Sequence, residues 1–222
     1  MANRRNDAKE GVRTETLSDK AYHIIKEKLL HMKKGSYLSI RKVAEEINMS
    51  YTPVREAFLR LHKEGFLELV PKVGFFANAI GLDEILQIYE ARECIEIFVL
   101  QKVFDQIDEG HIKRMKEYLE KQRRSFEEKR VHDFVKADQK FHEVFIDLYN
   151  NKYLSGLYKN LREQYFICSK NIAEGISDAA IVEHMELLDC IEKKDLGKAL
   201  EVLSKHIENS KERIKTGYMR IK

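Results

Sequence analysis

Leu38-Ser39-Ile40-Arg41-Lys42-Val43-Ala44-Glu45-Glu46-Ile47-Asn48-Met49-Ser50-Tyr51-Thr52-Pro53-Val54-Arg55-Glu56-Ala57 decides the fold of the first third of this 222-residue chain. Ile40, Val43, Ala44 and Ile47 recur at helical spacing behind Ser39, whose hydroxyl suits an N-cap. Asn48 can take the tight turn that follows. Thr52 then caps a second helix with Pro53 in its first position, where a missing N–H costs nothing. Val54, Ala57, Phe58 and Leu61 form the inward face of that helix, and Gly65 ends it. Phe66 to Val70 and Gly74 to Asn78 flank Pro71-Lys72-Val73 as two extended runs around a turn. Upstream, Leu17, Ala21, Ile24, Ile25 and Leu29 predict a first helix from Leu17 to about Met32. Helix, short helix, turn, helix, two-stranded hairpin is the order of a winged helix-turn-helix, which residues 16–78 therefore make. Residues 1–15 are polar and aperiodic and read as a flexible arm.

Beyond the hairpin the pattern changes. Both prolines, Pro53 and Pro71, lie behind, and nothing after Pro71 except scattered glycines would stop a helix. Six amphipathic segments follow, at about 82–104, 109–129, 131–149, 152–173, 177–193 and 195–216. Breaks fall at Asp108-Glu109-Gly110, Asn150-Asn151, Gly175 to Asp178 and Lys194-Asp195. Short connections between helices of this length imply antiparallel neighbours. The expected fold is mainly α: a winged helix-turn-helix followed, over residues 79–222, by an antiparallel six-helix bundle.

Composition narrows the function. Residues 1–78 hold 15 Lys+Arg against 10 Asp+Glu, whereas residues 79–222 hold 25 against 27, so only the first part is basic and suited to a polyanion. No apolar run is long enough to span a bilayer, and the N-terminus lacks the apolar stretch of a signal peptide, so a cytoplasmic protein with no membrane partner is expected. Cys94, Cys168 and Cys190 are too far apart for a paired metal or redox motif and are read as buried free thiols.

In a helix-turn-helix the second helix enters the major groove by its N-terminal residues, which must be polar and exposed. Ser50, Tyr51, Thr52 and Arg55 meet that demand. Arg41 on the preceding helix, and Lys72 with Gly74 at the hairpin, are placed to meet phosphates, and Arg41 and Arg55 can fork onto guanine. The string quoted above, with Leu61, Glu64-Gly65-Phe66-Leu67 and Gly74-Phe75, closely resembles the DNA-binding domain of GntR-family bacterial transcription regulators. The resemblance implies double-stranded operator DNA as partner and a homodimer on a palindromic site. One departure stands out. The family commonly has a base-contacting arginine where this chain has Tyr51, which cannot fork onto guanine, so the operator is expected to differ.

The bundle carries a second constellation. On the helix at 131–149, Asp138 and His142 stand on the same face as Phe134, Phe141 and Phe145. His184 shares its face with Ile181, Met185, Leu188 and Ile191, and His206 with Ala199, Leu203 and Ile214. Each unsatisfied buried polar group costs about 1 to 3 kcal/mol, and one divalent cation would satisfy all four. His23, His31, His62, His111 and His132 show no such convergence. Asp-x-x-x-His, then Glu-His, then a histidine on the last helix is similar to the FCD effector domain that follows FadR-type members of the GntR family, in its VanR-like branch. That resemblance implies Asp138, His142, His184 and His206 as ligands of zinc first, with nickel, manganese or iron as alternatives, and a small organic acid as effector. Arg92 and, more weakly, Arg162 are the anchors for its carboxylates, with structural ion pairs as the competing reading. A metalloenzyme with a DNA-binding appendage and a regulator with a purely structural metal remain open beside the ligand-responsive regulator.

Overall fold

A computed structural model describes residues 15–29, 31–33, 35–78, 81–169 and 177–220, and the side chains of these except 167–169 and 218–220. The expected arm up to Thr14, the end of the segment drawn to residue 173, the break at Gly175 and the side chain of Cys168 lie outside the described residues. The chain divides after Asn78 into two compact units.

The first unit runs α1 (Leu17–Leu29), β1 (Tyr37–Leu38), α2 (Ile40–Glu46), α3 (Tyr51–Lys63), β2 (Leu67–Val70) and β3 (Gly74–Ala77). Ala21, Tyr22 and Ile25 of α1 and Val54, Ala57, Phe58 and Leu61 of α3 are buried together, so the stripe read on α3 faces the core, whereas Leu17 and Ile24, read on the inner face of α1, are exposed and Tyr22 takes a place there. Ser39 caps α2 as expected, accepting from Lys42 N, and Asn48 takes the left-handed turn at φ 52°. Two details differ. Helix α3 starts at Tyr51 behind Ser50 rather than behind Thr52, and Ser50 makes no side-chain cap bond. Pro53 then falls third in the helix, still among the residues whose N–H would have no intrahelical partner, so the shift is tolerated. The wing is also not two-stranded. Tyr37 and Leu38 pair with Phe76 and Phe75, giving the antiparallel order β1-β3-β2. Two residues are too few for a period-two signal, and tertiary pairing alone makes them a strand.

The second unit is α4 (Leu82–Val103), a 3-10 turn (Phe104–Gln106), α5 (Glu109–Glu127), α6 (Val131–Leu148), α7 (Lys152–Ser169), α8 (Asp178–Glu192) and α9 (Leu196–Arg220). Asp108 caps α5 through His111 N at 2.9 Å. Asn150 and Lys194 turn the chain with positive φ at two of the expected breaks, as does Lys129 between α5 and α6. Helix α4 packs on α6, α7 and α9, α5 on α6 and α8, and α8 on α9. Ile85, Val99, Leu100, Met115, Phe141, Phe145, Leu187, Ile191, Leu203 and Ile214 fill the core. Met185 and Cys94, expected inside, are exposed. Each is one residue, or about 100° of helix, from a buried neighbour (His184, Ile95), and adjacency in sequence does not carry a side chain to the same face.

Candidate functional site

In the first unit, the start of α3 and the face of α2 beside it form an open groove of about 500 Å³, lined by Arg41, Glu45, Asn48, Met49, Ser50 and Tyr51 among others. Arg41, Ser50, Tyr51, Thr52 and Arg55 are all exposed, while Val54 one step inward is fully buried. Nothing among the described residues ion-pairs with Arg41, Arg55 or Lys72, so their charges are free for an anion. Lys72 sits in the wing turn at φ 65°. Gly74 has φ 138°, and a Cβ there would come 2.7 Å from Tyr37 Cε2. Glycine at that point is thus demanded by the third strand.

In the second unit the four predicted ligands meet. Asp138, His142, His184 and His206 each offer an atom within 4.8 Å of all the others, and the three histidines are fully buried. His184 Nε2 lies 3.0 Å from His142 Nε2 and 3.1 Å from His206 Nε2, and 3.6 Å from Asp138 Oδ1. Nitrogens bound about 2.0–2.1 Å from one cation stand roughly 2.9–3.4 Å apart at the usual bond angles, so the spacing matches a shared ion.

The opposite ring nitrogens fix the tautomers. His184 Nδ1 faces Gln122 Oε1 at 2.8 Å and His206 Nδ1 faces Glu183 Oε2 at 2.8 Å. His142 Nδ1 lies 2.8 Å from Glu96 Oε2, a close contact out of line for a hydrogen bond. With Nδ1–H of His184 and His206 spent on these acceptors, and Nδ1 of His142 turned to the Glu96 carboxylate, three Nε2 atoms are brought together. Burial, reinforced by His206 and His142, pushes His184 well below its ordinary pKa, and burial lowers His206 despite Glu183. His184 and His206 are thereby favoured as neutral bases, the form that ligates metal. Burial would raise Asp138, but Arg162, His142, His184 and Arg92 outweigh it and hold the carboxyl well below its ordinary range. Glu183 is opposed by burial yet pulled down to about 2 by His206, Arg213 and Asn209.

Both arginines singled out lie at this cluster, fully buried. Arg92 Nε donates to Glu96 Oε1 at 2.9 Å, and Arg162 Nη2 pairs with Asp138 Oδ2. Neither ion pair uses the whole fork. Arg92 Nη2, Arg162 Nε and Nη1, and Tyr158 Oη are buried with no partner among the described residues. Burial and Glu96 raise Tyr158 well above its ordinary pKa, so its hydroxyl stays a donor. Arg162, ranked second from the sequence, therefore has more free donors than Arg92.

The profile described as "Bacterial regulatory proteins, gntR family" matches residues 17–77, and that of the FCD domain matches residues 87–209. The chain is a GntR-family transcription regulator with an FCD domain. The Escherichia coli K12 repressor RspR is 24% identical over 207 residues, covering 91% of this chain and 90% of its own. The gluconate operon repressor of Bacillus subtilis is 28% identical over 189 residues, covering 81% and 76%. Among solved structures, E. coli McbR/YncC superposes with a TM-score of 0.77 at 21% identity, over 94% of this chain and all of that one, a likeness of fold. These relatives are transcription regulators rather than enzymes. No helix among the described residues is long and apolar enough to cross a membrane.

Three polar residues of this GntR-family regulator escaped sequence reasoning, Glu96, Gln122 and Tyr158, while Glu183 was seen only as part of the Glu-His pair and not as the partner of His206. Glu96 is one turn beyond Arg92, and Tyr158 one turn before Arg162, so the spacing did hold a trace. Gln122 had none, since it meets His184 across 62 positions.

Proposed function

We propose that this regulator senses a small organic acid through a metal centre and answers by changing how a homodimer engages palindromic operator DNA in the cytoplasm. The observation that carries the reading is the convergence of three Nε2 atoms, two of the rings hydrogen-bonded from behind and the third against Glu96, beside four unpartnered buried donors. Asp138, His142, His184 and His206 would hold a divalent cation, zinc first and nickel, manganese or iron after it. When bound, the cation supplies positive charge and a coordination position that a carboxylate can take. Arg92, Arg162 and Tyr158 donate to the remaining carboxylate oxygens. Charge favours a diacid: the Arg92 and Arg162 guanidiniums balance Glu96 and Asp138, so a divalent ion leaves two positive charges to neutralise.

Arg41, Ser50, Tyr51, Thr52 and Arg55 are the residues for base edges and nearby phosphates, and Lys72 with Gly74 brings the wing to the backbone. Two half-sites require two copies. Regulation requires the acid to bind the operator-competent and the incompetent arrangement with different affinity.

The test is calorimetric titration of the zinc-loaded and chelated protein with di- and tricarboxylates, alongside operator gel shifts. Acid binding that needs the metal and weakens or strengthens the gel shift is expected. Acid binding indifferent to chelation would make the metal structural, and no operator binding at low salt would sink the reading.

A further inference from the structure

A second ligand-sized hollow lies on the outside of the helical unit, between α5 and α6, with a volume of about 530 Å³. That is within the range of roughly 300–1,000 Å³ typical of small-molecule sites. Its floor is made by two small buried residues, Ser125 on α5 and Ala137 on α6. Larger side chains there would fill it. Its walls are basic: Lys121 and Arg124 stand on α5, and Lys136 and Lys140 on α6, with Arg130 at the turn between.

These cations are not equally engaged. Arg124 pairs with Glu120, Arg130 with Glu128 and Asp133, and Lys140 with Glu143. Lys121 and Lys136, one on each wall, have no carboxylate partner among the described residues. Lys121 lies 5.1 Å over the Tyr118 ring, which also lines the hollow. Asp133 is the one acidic side chain in the lining, and Arg130 Nη1 holds it at 2.6 Å. The unpaired positive charge of the lining is therefore carried by two ammonium groups, one on each of two packed helices.

We infer that this α5–α6 cleft binds a phosphorylated small molecule, its phosphate between Lys121 and Lys136 and its organic body against Tyr118. A compact dianion suits two ammonium point charges on opposite walls, and the volume exceeds what phosphate alone would fill. The cleft is distinct from the buried centre in its residues: its lining includes none of Asp138, His142, His184 and His206, although Ala137 adjoins Asp138 and Ser125 lies one turn from Gln122. The inference does not depend on the acid-sensing reading.

Calorimetric titration of the metal-loaded full chain with glucose 6-phosphate, at fixed ionic strength in chloride, tests it. Saturable binding of one molecule per chain is expected, several-fold tighter than inorganic phosphate, with none for glucose. The Lys121→Ala/Lys136→Ala variant should lose at least tenfold in affinity while keeping the zinc content and melting temperature of the parent, since both side chains are exposed. Absence of saturable binding would overturn the inference. So would binding that survives in the double variant, which would place the phosphate at the buried arginines.

Discussion

In the winged unit the side chains assigned to DNA, Arg41, Tyr51, Thr52 and Arg55, stand in solvent, and the two arginines have no carboxylate partner among the described residues. In the helical unit the histidines and arginines assigned to metal and acid are buried and Asp138 is nearly so, and each lies against another polar residue from a different turn or helix. The difference follows from what each must bind. DNA brings its own charge and water to an open surface, and affinity comes from many contacts that are individually weak. A cation and a small acid must be stripped of water, and the desolvation penalty is met only by ligands that are already oriented.

The contrast can be broken most severely at the open surface. Replacing Arg41 and Arg55 together by alanine removes contacts worth about 1–3 kcal/mol each, so operator affinity should fall by roughly thirty- to twenty-thousand-fold in a gel shift while zinc content is unchanged. If metal were lost as well, the two units would not be separable in this way. Inside the bundle, Glu183→Gln leaves a ligand's support uncharged without touching the ion. Zinc affinity should drop about 10- to 100-fold by competition with a chelator, and operator affinity of the zinc-saturated protein should stay near the parent's.

Gly74→Ala probes the joint between wing and sheet. A methyl meeting Tyr37 at 2.7 Å on a backbone at φ 138° should cost about 1–3 kcal/mol, read as a lower melting temperature. Tyr37→Ala should relieve the contact and recover only part of the loss, because the backbone strain remains.

Acid should act most gently and chiefly on the second unit, where the buried titrating groups lie. His184 and His206 have folded pKa values below the ordinary 6.5, so the unfolded chain takes up protons first. Their contribution is complete above about pH 6.5 and declines as pH falls beneath it. Asp138 and Glu183 are depressed as well, from lower ordinary values, so their share persists until pH drops below the ordinary 3.8 and 4.5. Metal-free protein followed by circular dichroism should therefore lose stability in two stages on acidification.

How much of this was legible differs by unit for a physical reason. Ser39, Asn48 and Gly65 mark caps and turns through local backbone chemistry, and Val54, Ala57, Phe58 and Leu61 mark a buried stripe through helical periodicity, so the helix-turn-helix could be read along the chain. The four metal-type ligands could be read too, because a polar residue on an apolar helical face is a visible exception. Position along a helix, however, says nothing of which ring nitrogen meets which acceptor. That His184 is backed by Gln122, that Arg162 keeps two donors free while Asp138 takes the third nitrogen, and that Tyr37 joins the wing as a strand were decided by packing of segments distant in sequence. The sequence by itself determined the elements, their buried faces and the residue types that need a partner. Tertiary structure chose the partners, since hydrogen bonds and coordination act over about 3 Å and only the folded chain brings such atoms that close.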